Sequence, residues 1–225
     1  MHLNMRLKAV LFDLDGTLLD TAPDFINSLN LLLQEQQRDP LPREMIRKTV
    51  SNGATALVQL AFPDIRSDSA TFDTMRQRLL AIYSQHLADH SQPFPGINEL
   101  LRFCQQHQLQ WGIVTNKPWV YTEPLIRQMT FPCPPASIVC PDHVKNRKPD
   151  PEPLLLACQQ LNCRVTEAIY LGDHRRDIES AHNAQMATIA CAYGYIEDGD
   201  DIHQWRADHV IEHAQDAIPL LQQKL

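Results

Sequence analysis

The chain predicts an α/β fold, a doubly wound parallel sheet carrying an inserted helical cap domain. Three observations point there. Short β-rich apolar runs recur through most of the 225 residues with helical patterns between them. The alternation fails once, between about residues 21 and 93, where helical patterns follow one another with no strand-like run. Polar residues able to do chemistry collect just past the ends of the runs, where open α/β sheets bind their ligands.

Taken in order, the first run is KAVLFD at 8–13, too short for a buried helix and followed by turn residues, which marks a strand covered on both faces. FINSLNLLLQEQQ, REMIRKTVSNGATALVQLAF and FDTMRQRLLAIYSQHL then read as successive helices. Within the second, SNGA at 51–54 breaks the helical pattern, and Gly53 permits a tight backbone there. HSQPFPGI at 90–97 marks the return to the sheet, because two prolines and a glycine punctuate the chain. Strands are then expected at 110–116, 136–140, 167–173, 187–192 and 208–211. Helices fall at 97–108, 119–129 (with Pro124 a kink or break), 151–161, 176–184 and 214–223. The domains that follow are a core formed by 1–20 and 94–225 and a helical cap at 21–93.

The bulk properties exclude some classes of function. With 44% hydrophobic and 21% charged residues, the chain can bury a sizeable core. Twenty basic against 27 acidic residues give a formal charge of -7, so no nucleic-acid or anionic-membrane partner is expected, and an anionic substrate must meet local positive charge. No apolar run approaches a membrane span and MHLNMRLKAV lacks an apolar signal core, which makes the cytoplasm the expected location. Met5 offers an alternative start that would spare the first strand. The six cysteines contain no C-x-x-C pair and the ten histidines no H-x-x-x-H, so free thiols and no zinc site are expected.

A parallel sheet would gather the residues past its strand ends. These are Asp13 and Asp15 with Gly16 after the first, Thr115, Asn116 and Lys117 after the second, and Asp173 with Asp177 after YLG. Lys148 stands in NRKPDPEP, ahead of a helix. Neighbouring carboxylates raise one another's pKa unless a cation neutralises them. Asp13, Asp173 and Asp177 are three hard oxygen donors of the kind that suits Mg²⁺ beside a phosphate oxygen. The Thr115 hydroxyl and the Lys148 charge would hold phosphoryl oxygens. Asp13 can attack phosphorus, and Asp15, displaced by the turn at Gly16, can give and take a proton. Asp-x-Asp-Gly alone is a common turn; the joint occurrence of all these residues at successive strand ends carries the functional reading.

Together DLDGTLLD, Thr115, Lys148 in KPDP and GDHRRD resemble the four ordered motifs of the haloacid dehalogenase superfamily of phosphohydrolases, and the insertion resembles its cap. The resemblance implies Asp13 as nucleophile and Mg²⁺ ligand, and Asp15 as acid/base and a ligand through its backbone carbonyl. It further implies Thr115, Asn116 and Lys148 as the phosphate site and Asp173 and Asp177 as completing the metal site. The second acid at Asp15 favours a phosphatase or phosphomutase, since dehalogenase members lack it. DGTLLDTAPDF is similar to the phosphoglycolate phosphatases. WGIVTNKP, CPDHVKNRKPDPEPL, GDHRRDIESAHNA and AYGYI are closer to the N-acetylmuramic acid 6-phosphate phosphatases of cell-wall recycling.

The expectation is a Mg²⁺-dependent phosphomonoesterase, monomer or homodimer, acting on a small phosphorylated metabolite. A sugar phosphomutase of β-phosphoglucomutase type and a non-enzymatic phosphoreceiver are the alternatives. Asn52 and Gly53 are the candidate specificity residues of the cap, and Lys117, Arg147, Arg175 and Arg176 add positive potential near the motifs. Two residues depart from the family pattern. His174 follows the metal aspartate where a small or acidic residue is usual, and is expected to face solvent or, as the alternative, to reach the metal-site water. Gln185 stands where a glycine commonly follows the helix.

Overall fold

The computed structural model describes residues 6–225, which leaves Met5 outside the described residues. Among the described residues eight strands appear: β1 (Ala9–Phe12), β2 (Leu19–Asp20), β3 (Gln92–Pro93), β4 (Gln110–Val114), β5 (Ser137–Val139), β6 (Ala168–Gly172), β7 (Ala187–Cys191) and β8 (His209–Ile211). Six form one parallel sheet in the order β5-β4-β1-β6-β7-β8. From β1 the chain steps outward to β5 on one side and returns to build β6, β7 and β8 on the other. The carboxyl ends of β1, β4 and β6 therefore meet at the point where strand order reverses, and a crevice forms there.

Both faces of the sheet are covered, which explains why its strands lack a polar alternation. Along β1, Val10 and Phe12 join the larger core cluster with Ile113, Ile169 and Leu171. Ala9 and Leu11 point the other way, into a second cluster with Val114, Tyr170, Leu154 and Ala157.

The helical insertion comprises α1 (Ala22–Glu35), α2 (Arg43–Thr49), α3 (Gly53–Ala61) and α4 (Ala70–Gln85). Its two connections to the sheet run side by side as the antiparallel pair β2 and β3, with Leu19 opposite Pro93 and Asp20 opposite Gln92. Buried Asp24 fastens this neck, accepting hydrogen bonds from the backbone N–H groups of His90 (2.8 Å) and Ser91 (3.1 Å) and from the Ser91 hydroxyl. Runs of two residues carry no periodicity, so this ribbon left no sign in the sequence.

The remaining helices are α5 (Ile97–Gln106), α6 (Trp119–Gln128), α7 (Glu152–Gln160), α8 (Arg175–Asn183) and α9 (Ala217–Gln222). Pro124 neither ends nor splits α6: the Val120 carbonyl that loses its donor belongs to a residue 66% exposed, where water can replace the bond. The predicted helix at 214–223 starts as a 3-10 turn, Ala214–Asp216, before α9. Gln185 closes α8 in the left-handed region at φ 57°, which accounts for the glycine expected there. All six cysteines are free, and four of them are buried.

Candidate active site

Asp13 follows β1 directly, its N–H still donating to the Leu171 carbonyl at 2.8 Å, so the strand ladder fixes its backbone. Its Oδ1 receives the Leu14 N–H at 2.7 Å and lies 2.9 Å from the Lys148 ammonium. Lys148 is buried, and it also donates to Asp177 Oδ1 (2.7 Å), the Tyr170 hydroxyl (2.7 Å) and the Val114 carbonyl (3.0 Å). Burial by itself would lower the lysine pKa; Asp13 and Asp177 outweigh it and raise the value. Asn116 holds the backbone of Lys148 from both sides, accepting from its N–H at 3.1 Å and donating to its carbonyl at 3.0 Å.

Asp173 and Asp177 come from the turn after β6 and the first turn of α8. Oxygens of Asp13, Asp173 and Asp177 lie within 4.8 Å of one another. Three glycines make this density possible. A Cβ on Gly172 would stand 2.4 Å from the Asp177 Cβ, one on Gly194 2.2 Å from the Asp173 Cβ, and one on Gly16 2.1 Å from Asp173 Oδ2. Asp173 accepts from the Thr17 hydroxyl (2.8 Å) and the Tyr195 N–H (2.9 Å), while Asp177 accepts from the His174 N–H (3.0 Å).

Burial, reinforced by Asp177, pushes Asp13 up to about 6. Burial, reinforced by Asp13 and Asp177, pushes Asp173 up to about 7. Three carboxylates against one ammonium leave two formal negative charges in a water-poor pocket of hard oxygen donors. That donor set fits a divalent metal ion.

Asp15 lies apart from this group, on the cap side. Its Oδ1 accepts from the Thr21 hydroxyl and, at 3.0 Å, from the Lys117 ammonium. Lys117 is buried, donates at 2.8 Å to the Tyr83 hydroxyl of α4, and lies 4.9 Å from the centre of the Phe25 ring. The ammonium thus joins an acid of the core to two aromatic rings of the insertion. Thr115 is buried at the end of β4, its hydroxyl accepting from the Lys117 N–H at 3.1 Å.

Facing these groups is the SNGA stretch, folded as a 3-10 turn (Val50–Asn52) that passes into α3 through Gly53 at φ 79°. Ser51 donates to Asp173 Oδ2 at 3.2 Å, and its carbonyl accepts from Arg176 at 2.7 Å. Asn52 Oδ1 lies 3.2 Å from His174 Nε2. His174 therefore faces the insertion rather than solvent, and burial beside Arg176 lowers its pKa to about 4. Arg175 turns away to Asp200 at 2.6 Å.

Between insertion and sheet lies a cavity of about 640 Å³, lined by Asp13, Asp15, Thr115, Asn116, Lys117 and Lys148 on one side. Asn52, Gly53, Arg76 and Tyr83 are among its residues on the other. Asp173 and Asp177 sit behind Asp13, outside the lining. The sequence reading missed Tyr170, Tyr83 and Arg76, and gave Thr17, just past the first strand, no role. Tyr170 looks like any strand residue, and the two residues of α4 come to line one cavity with Asp15 only through folding.

The sequence pattern of the haloacid dehalogenase-like hydrolases matches residues 10–191, and the chain belongs to that family. It is a phosphatase of the family. An N-acetylmuramic acid 6-phosphate phosphatase of Pseudomonas putida is 46% identical over 210 residues, 93% of each chain. Its counterpart in Pseudomonas aeruginosa is 44% identical over 221 residues, 98% of this chain and 97% of that one. A phosphoglycolate phosphatase of Xanthomonas campestris is 36% identical over 205 residues, 91% of this chain and 92% of that one. Among solved structures, a predicted phosphoglycolate phosphatase from Haemophilus somnus shares the fold, with a TM-score of 0.83 over 98% of this chain and 99% of that one at 22% identity.

Proposed function

We propose that the chain hydrolyses N-acetylmuramic acid 6-phosphate in two steps, through a phosphoryl group carried on Asp13. The observation that carries the chemistry is the pairing, at the floor of one cavity, of Asp13 with Asp15. The Leu14 N–H and Lys148 both hold Asp13 by Oδ1, leaving Oδ2 to attack phosphorus. Lys117 and Thr21 likewise hold Asp15 by Oδ1, leaving its Oδ2 to protonate the leaving oxygen as the phosphorus–oxygen bond breaks. In the second step Asp15 takes a proton from water as that water displaces Asp13 and phosphate leaves. Thr115, Asn116 and Lys148 hold the phosphoryl oxygens.

Asp13, Asp173 and Asp177, with the Asp15 backbone carbonyl, would hold Mg²⁺. Once bound, the ion neutralises the carboxylates and draws charge from the phosphoryl oxygens. The insertion 21–93 acts as a cap that shields the phospho-aspartate from bulk water, with Asn52 and Gly53 facing the leaving group. We place the enzyme in the cytoplasm, as a monomer or homodimer.

The substrate assignment rests on the two Pseudomonas relatives, which match nearly the whole chain at higher identity than the phosphoglycolate phosphatase does. The test is release of inorganic phosphate, as kcat/KM, with and without Mg²⁺. The panel holds N-acetylmuramic acid 6-phosphate, 2-phosphoglycolate and hexose phosphates. A preference for the muramic ester of about 100-fold, near 2.7 kcal/mol, is expected, together with loss of activity in Asp13→Asn. Preference for phosphoglycolate refutes the substrate. Interconversion of sugar phosphates without net phosphate release refutes hydrolysis in favour of a mutase.

A further inference from the structure

The substrates named for the Pseudomonas and Xanthomonas relatives share a feature beyond the phosphate ester: each also carries a carboxylate. They differ in where it lies. In phosphoglycolate it sits next to the phosphate-bearing carbon, whereas in N-acetylmuramic acid 6-phosphate it ends a lactyl ether on ring carbon 3, several bonds from the phosphate on carbon 6. A protein selective for the longer compound needs a cation at the far wall of its cavity, away from the phosphate end.

Besides Lys148, which is buried against Asp13 and Asp177 at the phosphate end, four Lys and Arg side chains line the cavity: Arg76, Lys117, Arg147 and Arg176. Three are unsuited to that task. Lys117 is spent on Asp15 and Tyr83. Arg176 is tied through Nη2 to the Ser51 carbonyl and Asn52, on the turn whose Ser51 hydroxyl donates to Asp173, so it too stands at the phosphate end. Arg147 is exposed on the core loop and adjoins Lys148 in the chain, so it belongs to the phosphate end.

Arg76 differs on both counts. It shares one face of α4 with Leu80 and Tyr83, at the i, i+4, i+7 spacing that aligns side chains along a helix. Tyr83 is the deep end of that row, bonded to Lys117 and through it to Asp15. Seven residues of rise place the Arg76 backbone about 10 Å further along the helix. Its side chain is 36% exposed and, among the described residues, makes a single long polar contact, 3.4 Å to Asp73 one turn back, which leaves most of its donor fork free. A surface pair of that kind contributes little and yields readily to a better acceptor.

We infer that Arg76 is the specificity-determining residue that receives the lactyl carboxylate of the substrate, by the paired N–H···O geometry open to guanidinium and carboxylate. Leu80, between Arg76 and Tyr83, then lies along the sugar. This assignment rests on the substrate reading above and adds to it the group that selects the acid.

The test compares kcat/KM for N-acetylmuramic acid 6-phosphate with that for N-acetylglucosamine 6-phosphate, the same phosphorylated amino sugar without the lactyl ether. Wild type, Arg76→Ala and Arg76→Lys are measured on both, with 2-phosphoglycolate as a third substrate. Arg76→Ala should lose about 30- to 100-fold on the muramic compound and less than about threefold on the other two. Arg76→Lys, which keeps the charge but not the fork, should fall between.

Equal losses on all three substrates would make Arg76 merely structural and overturn the assignment. So would an Arg76→Ala enzyme with unchanged preference for the muramic compound. Wild type that ignores the muramic compound and hydrolyses another ester instead refutes the substrate reading, and the carboxylate assignment falls with it. Thermal unfolding of the variants separates these results from misfolding: a substitution at this part-exposed position should shift Tm by no more than about 2 °C.

Discussion

Replacing Lys148 by methionine keeps the length and apolar stem of the side chain and deletes only its charge. The ammonium is buried among Asp13 Oδ1 at 2.9 Å, Asp177 Oδ1 at 2.7 Å, the Tyr170 hydroxyl at 2.7 Å and the Val114 carbonyl at 3.0 Å. Losing one partner of a buried ion pair costs about 3–5 kcal/mol, because the abandoned carboxylates have no water to turn to. Protonation offers one escape. Asp13, already raised to about 6 by burial and Asp177, must rise further once the lysine charge is gone. In metal-free protein the loss should therefore be small near pH 5 and reach its full size near pH 8. Urea unfolding at the two pH values, with and without Mg²⁺, reads this directly, and Mg²⁺ should recover part of the loss at the higher pH. A loss below about 1 kcal/mol at pH 8, or one independent of pH, would refute the argument that Lys148 neutralises the acids. Activity with Mg²⁺ should fall about 10²- to 10³-fold, as when one charge-stabilising donor is removed from an active site.

The metal-free wild type should itself respond to pH. Asp13 and Asp173 rise from an ordinary 3.8 to about 6 and about 7, so the folded state holds protons that the unfolded state has released. The stability this contributes is fully present below about pH 4 and is lost as pH climbs through those values; Tm in a chelator should fall between about pH 5 and 8, and added Mg²⁺ should raise it more at pH 8. A Tm that rises over this range contradicts the assignment. Gly194→Ala should weaken Mg²⁺ activation about 10- to 100-fold, since its Cβ would stand 2.2 Å from the Asp173 Cβ and 2.6 Å from the Gly16 carbonyl. Titration of activity with Mg²⁺ measures it, and an unchanged midpoint would show that the turn can yield. Gln185→Gly, relieving a left-handed residue at φ 57°, should stabilise the fold by about 0.5–1 kcal/mol in urea unfolding without changing kcat.

Much of this molecule was legible in the chain itself. Parallel strands need buried apolar runs and long crossovers, so β1 and β4 to β8 announced themselves as short runs set between helices. Asp13, Asp15, Thr115, Asn116, Lys148, Asp173 and Asp177 could be singled out because such a sheet displays chemistry at its strand ends. The order of those residues in the chain was enough to point to a family. The neck of the insertion was not legible, because β2 and β3 are two-residue runs held partly by Asp24, whose donors His90 and Ser91 lie 66 and 67 positions away in the chain.

Nor did the sequence reveal who partners whom. Tyr170 reads as an ordinary strand residue until folding sets its hydroxyl against Lys148. His174 read as solvent-facing until the turn at Ser51 and Asn52 came to lie over it. Arg76 reads as one more charge on an amphipathic helix until α4 packs against the mouth of the cavity. The physical reason is the same for each: local pattern records which residues are buried and in what periodicity, while contacts between a core and an insertion depend on how two separately patterned pieces meet. The chain alone determined a sheet that ends in acids; only the tertiary structure decided what closes over them.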